Sequence, residues 1–214
     1  MRWKRIVYLK KTKKKIISLS EKIDARLYAD VINSFVRSTS LSGFSWVDIE
    51  KVEVVFSKMM DLCEHNLLWV DGNNNRQPMV SVSALNHLLR IYSQTEGRND
   101  ESLQRSSALL QRFKRIRTIK QHPNAATYTY YLTTLLRSNN NDAGRRAMNV
   151  LNEMEKNNIK PNIAIYTSAI QIIGKSRGKE NIASAKKLLM DAIKEYNHLP
   201  NDDIPTSSRS CGSI

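Results

Sequence analysis

The chain has 214 residues, 41% of them hydrophobic, with seven Gly and five Pro. That is enough for one domain with a substantial core, and no apolar run approaches the length needed to span a bilayer. The net charge of +14 fits a polyanionic partner, of which nucleic acid is the commonest. The excess is uneven, because the first twenty residues carry eight Lys and Arg and no acid, which leaves +6 for the rest. Cys63 and Cys211 lie far apart and suggest no disulfide framework.

Residues 1–22 are basic with apolar residues between. Three readings stay open for them: an organelle-targeting segment, an arm that touches phosphates, or a solvated cap. A first helix is expected over 23–36 and a turn over 39–43. Ser45-Trp46-Val47-Asp48 has the form of a capping box, with a serine oxygen and a carboxylate three residues apart. The helix that follows runs to about His65. Val52, Val55, Phe56 and Met59 have the spacing of one helix face, and Cys63 lies one turn further on. Residues 71–77 read as a polar, Asn-rich loop.

Helix signals resume near Ser81 and continue through Tyr92. Asn99, Asp100 and Glu101 put an acceptor and acids at the next helix start, where free N–H groups and the helix dipole favour them. Ser106, Leu109, Leu110 and Phe113 form its apolar face, and residues 112–117 its cationic end.

Then comes Pro123-Asn124-Ala125-Ala126-Thr127-Tyr128-Thr129. The same Pro-Asn-x-Ala-x-Tyr-Thr pattern returns thirty-eight residues later, from Pro161 to Thr167. Nineteen residues after each Tyr begins a second helix face: Ala147, Val150, Leu151 and Met154 in one, Ala185, Leu188, Leu189 and Ala192 in the other. Between these faces lie Leu132, Leu135 and Leu136, or Ala169, Ile170, Ile172 and Ile173, and a polar turn. The pattern is that of two antiparallel helices per unit, with Pro161 and Pro200 ending units because proline cannot continue a helix. Such a hairpin buries its apolar faces only against stacked neighbours. The units run over 23–77, 78–122, 123–160 and 161–200. Residues 203–214 form a tail without periodicity.

With Tyr-Thr in the first helix, Ala-x-x-Val-Leu-x-x-Met in the second and Asn-Ile-Lys-Pro-Asn at the exit, these units resemble pentatricopeptide repeats. The resemblance covers 23–202 and is densest over 124–202. The good copies are three or four residues longer than the family's unit of about 35, and the earlier ones longer still. Tetratricopeptide repeats are the alternative, but their Trp-x-x-Leu-Gly-x-x-Tyr opening is missing.

The resemblance implies an all-α, right-handed α-solenoid of about four stacked helix-turn-helix repeats. It also implies binding of single-stranded RNA at one base per repeat. Carried over by residue, the base readers are Thr129 with Asn162 and Thr167 with Asn201, pairs that the family's pattern assigns to adenine. Ala126 and Ala164 stand at the position that wedges between bases. Arg37, Arg137 and Lys175 stand where a cation approaches phosphate, with Tyr92 at that place in the second copy. The readers of the earlier copies are Ala84 with Asn124 and Ala29 with Met79, and neither Ala nor Met can read a base edge. The same residues also have a purely structural reading: Asn162 and Asn201 as helix N-caps, the cations as partners of helix C-termini.

No enzyme signature is present. None of His65, His87, His122 and His198 begins a His-x-Glu, no Cys-x-x-Cys occurs, and there is no glycine-rich phosphate loop. Cys63 with His65 offers two ligands where zinc takes four, and no cofactor is expected. The expectation is a single-stranded RNA-binding protein of a mitochondrion or plastid, with a cytoplasmic place as the alternative, that works with protein partners in RNA processing, stability or translation. A helical scaffold that binds protein alone is the competing reading.

Overall fold

The computed structural model describes residues 45–65, 68–70, 76–78, 80–117, 119, 121–175 and 179–197. The expected arm over 1–22, the first helix over 23–36, Arg37, Asn201 and the tail over 203–214 lie outside the described residues.

Seven helices are described: α1 (Trp46–Glu64), α2 (Val82–Gln94), α3 (Asn99–Arg115), α4 (Ala125–Arg137), α5 (Ala143–Lys156), α6 (Ile163–Lys175) and α7 (Lys179–Asn197). They pack as a helical solenoid of two layers. Helices α2, α4 and α6 lie side by side, and α3, α5 and α7 cover them. Between α1 and α2 a short antiparallel hairpin pairs β1 (Leu68–Val70) with β2 (Arg76–Pro78), in the register Leu68↔Pro78. The expected loop over 71–77 therefore includes a strand at its end. The hairpin takes up part of the insertion between α1 and α2.

Three helix starts carry side-chain caps, whereas α3 begins after Arg98 with no side-chain cap bond: the acceptor expected at Asn99 lies inside the helix and does not cap it, and only the acids Asp100 and Glu101 fall in its first turn as expected. The side chain of Ser81 accepts from Ala84 N at the head of α2. Asn124 caps α4 in a reciprocal box with Thr127, and Asn162 Oδ1 accepts from Ile165 N at 3.0 Å before α6. The box expected at Ser45 does not form. Ser45 makes no side-chain cap bond, and the Asp48 carboxylate is taken by Lys51 at 3.1 Å.

The end of α5 is built by Asn157-Asn158-Ile159. Asn158 adopts φ 54, a left-handed conformation that asparagine tolerates better than most residues. Its N–H bonds Glu155 O at 3.0 Å, and Ile159 N bonds Met154 O at 2.8 Å. These two bonds satisfy carbonyls that a helix end otherwise leaves open.

The apolar stripes face the core. Tyr128, Leu132, Leu135, Ala147 and Met154 are fully buried, as are Ala169, Ile172 and Ile173 in the next unit. Each large apolar side chain so buried contributes about 1.5–3 kcal/mol. Leu189 departs from expectation. It is half exposed, although Leu188 and Ala192 beside it are buried. Leu151, its counterpart one unit earlier, lines a cleft with Tyr166 of α6 and Leu188 of α7. Leu189 belongs to α7, the last described helix.

Candidate nucleic-acid interface

Helices α2, α4 and α6 are each 13 residues long. Aligned by their caps, Ser81, Asn124 and Asn162 are equivalent. Buried positions then coincide: Leu85 with Tyr128, Leu88 with Tyr131 and Ala169, Tyr92 with Leu135 and Ile173. One tertiary contact confirms the alignment. Arg137 Nη1 donates to Ser93 O at 2.5 Å, and Lys175 Nζ donates to Leu136 O at 3.1 Å. Ser93 and Leu136 are equivalent positions, so the same contact is made twice, one unit apart.

This alignment moves the second unit by two residues from its sequence register. Ala84 is buried in the first turn of α2, and the residue equivalent to Thr129 and Thr167 is Asn86. Tyr92 is likewise buried, and Gln94 stands opposite Arg137 and Lys175. The physical reason lies in the hairpin. Pro78 is held in β2, three residues before the cap Ser81, whereas Pro123 immediately precedes Asn124. Aligning prolines therefore misplaces the second helix, and aligning capping residues places it.

Asn86 is the functional candidate that sequence reasoning missed. Its Nδ2 donates to Asn124 Oδ1 at 3.1 Å, and its Oδ1 accepts from Thr127 Oγ1 at 2.6 Å. In this unit the reader position and the residue past the next proline thus touch directly.

At the following seam Thr129 Oγ1 donates to Ala125 O at 2.9 Å, and Thr167 Oγ1 donates to Ile163 O at 2.8 Å. With their protons spent on their own helix, both hydroxyls offer only acceptor capacity outward. Asn162 is exposed. Its Oδ1 caps α6, which leaves the two hydrogens of Nδ2 as outward donors. Ala126 and Ala164 are both exposed, at the same register as exposed Ser83. His87, beside Asn86, is held below its ordinary pKa by burial and by the nearby Arg90 charge, so it adds no positive charge at neutral pH.

The two cations lie at the opposite end of these helices. A cleft of about 450 Å³ joins Arg137 and Lys175 with Asn139, Asn140 and Asn141. Each cation is held near the C-terminal carbonyls of the preceding first helix, where the dipole favours positive charge. So both readings of Arg137 and Lys175 meet in one place: they tie neighbouring units together and they face an open, polar cleft. Arg37 and Asn201 lie outside the described residues.

Among the described residues no group of three or more His, Cys, Asp or Glu is placed to hold a metal ion. No described helix is long and apolar enough to cross a membrane.

Paired helices, stacked with a repeated cap and a repeated inter-unit contact, define a helical-repeat protein. The family model of the pentatricopeptide repeat domain matches residues 122–176, the stretch that holds α4, α5 and α6. Repeats of this family are generally RNA-binding and non-catalytic. No curated protein matches the chain.

Proposed function

We propose that the chain binds single-stranded RNA along the row of α2, α4 and α6. It acts without chemistry of its own, as an adaptor in RNA processing, stability or translation. The observation that carries this reading is the equivalence of Asn86, Thr129 and Thr167 on neighbouring helices. Each bears a short polar side chain at the same exposed or half-exposed position. A row of this kind meets successive bases of an extended strand, one per unit.

Thr129 paired with Asn162 presents an acceptor beside donors. Adenine offers an amino donor beside a ring acceptor on its Watson–Crick edge, and cytosine offers the same order. Uracil and guanine offer the reverse. The acceptor–donor pair therefore supports the adenine preference that the resemblance implies, with cytosine as its physical competitor. Thr167 with Asn201 repeats the pair in sequence. Ala126 and Ala164 would lie between bases as small wedges, and Arg37, Arg137 and Lys175 would meet phosphates.

The mitochondrion or plastid is part of the proposal, supported by the acid-free basic stretch at the N-terminus. Imaging of the tagged full chain tests it, and a purely cytoplasmic signal would refute it.

The test of RNA reading is a titration of the full chain with three labelled RNAs that carry an adenine, cytosine or guanine pair in a uridine background. Adenine or cytosine is expected to bind at least about tenfold tighter than guanine. Thr129→Ala with Thr167→Ala should remove the difference. Binding without preference would leave only a basic surface. Absence of binding even at low salt would favour a helical scaffold for protein partners.

A further inference from the structure

We propose that Thr127 is a positioning residue: from α4 its hydroxyl, together with the amide oxygen of Asn124, pins the side-chain amide of Asn86 on α2 at both ends, and so sharpens which base edge the second unit accepts. The inference rests on the RNA-reading proposal above.

The orientation follows from a chain of bonds anchored on the backbone. Thr127 N is a donor, so the Asn124 atom 3.1 Å from it is the amide oxygen. The Asn86 atom 3.1 Å from that oxygen must then be a donor, which makes it Nδ2. The other Asn86 atom is therefore Oδ1, and it lies 2.6 Å from Thr127 Oγ1. Asn124 N donates to that same hydroxyl oxygen at 3.1 Å, and the hydroxyl proton has two acceptors in reach, Asn86 Oδ1 at 2.6 Å and Asn124 Oδ1 at 3.1 Å, of which the shorter contact takes it. Each polar atom of Asn86 is thus half used. One Nδ2 hydrogen and one Oδ1 lone pair stay outward, in a fixed order.

Thr127 is fully buried, so its hydroxyl has no competing water. The lock occurs at one seam among the described residues. In α6 the equivalent residue is Ile165, which has no hydroxyl, and Thr129 instead bonds within its own helix. Asn124 Oδ1, itself held by the backbone N–H of residue 127, selects which end of the Asn86 amide is the donor, and the Thr127 hydroxyl pins the other end. Without that hydroxyl the amide is held at one end only and can swing away from the plane that meets the base, which weakens the preference of the unit.

The experiment uses four short RNAs, each with an adenine pair flanked on both sides by A, C, G or U. The wild-type chain should separate its best from its worst flank by about tenfold. Thr127→Val, of nearly the same shape, should reduce that ratio to about threefold while Thr127→Ser keeps it. Asn86→Ala should bring the ratio to about one, and adding Thr127→Val to it should lose nothing more. A role in stability alone would change every RNA equally and leave the ratio intact. If Thr127→Val does not fold, 15N relaxation of the Asn86 side-chain amide in the wild type decides. An amide as ordered as the core supports the lock, and a freely mobile one overturns it. A wild-type ratio that survives Thr127→Val also overturns it. So does a wild type that binds the adenine pair with no preference at the flanks, although RNA reading then stands. Absence of all RNA binding at low salt would remove both proposals together.

Discussion

Glu53 and Glu64 lie on one helix, each bonded to an arginine of α3, yet their pKa values move in opposite directions. Arg105 Nη1 meets Glu53 Oε2 at 2.5 Å, and Arg105 also bonds Glu101 and stacks over Trp46. The second oxygen of Glu53 is buried with no hydrogen-bond partner among the described residues. Burial therefore outweighs the arginine and raises the Glu53 pKa. Glu64 is more exposed, accepts from Arg112 Nε at 2.8 Å, and is lowered mainly by that bond. The signs for stability follow. Glu53 binds its proton more tightly when folded, so its contribution is full below the ordinary carboxylate range and is lost as pH rises through the raised value. Glu64 contributes above that range and loses its contribution as pH falls through the lowered value. Melting temperatures across pH should show both limbs. Glu53→Gln is expected to flatten the loss on the neutral side, and Arg105→Gln to steepen it. Arg112→Gln is expected to flatten the acid side, and an unchanged acid limb in that variant would contradict the assignment.

Helix faces and repeat spacing are the most legible features, because each rests on residues close in sequence. The repeated Pro-Asn heptad located α4 and α6, and the faces of Ala147 and Ala185 located α5 and α7. What was not legible depended on contacts distant in sequence. The pairing of Leu68 with Pro78 removed Pro78 as a unit marker, so Asn86 was passed over for the buried Ala84. The box at Ser45 is a local exception: Ser45 makes no cap bond, and the Asp48 carboxylate bonds Lys51 three residues on. Leu189 kept the repeat spacing but lies in the last described helix. One element-scale feature can be tested directly. Asn158 closes α5 at positive φ, which a Cβ opposes. Asn158→Ala should cost about 1 kcal/mol, and Asn158→Gly should be nearly neutral, in denaturant unfolding. Equal losses in the two variants would mean that the asparagine amide, not the backbone angle, matters there.

Across the whole molecule the charge is polar. Residues 46–64 carry five acids against two lysines, whereas α2, α4 and α6 carry Arg90, Arg137 and Lys175 and no acid. An anionic strand is thus steered away from α1 and towards the first helices that follow it. Arg137 and Lys175 have two tasks on that path. Each bonds a carbonyl of the preceding helix, and each borders the cleft that would receive phosphate. A carbonyl bond uses only part of a guanidinium or ammonium group, so both tasks are compatible. Their separation can be measured. Arg137→Gln with Lys175→Gln removes two phosphate contacts, which should lower the slope of log affinity against log salt by about 1.4 for a single strand. Arg137→Lys with Lys175→Arg keeps the charges and alters only the fit to the carbonyls. That pair should retain the slope while lowering the melting temperature. If the slope stays the same in the Gln pair while stability falls, the two cations are ties between units and the phosphates are met elsewhere.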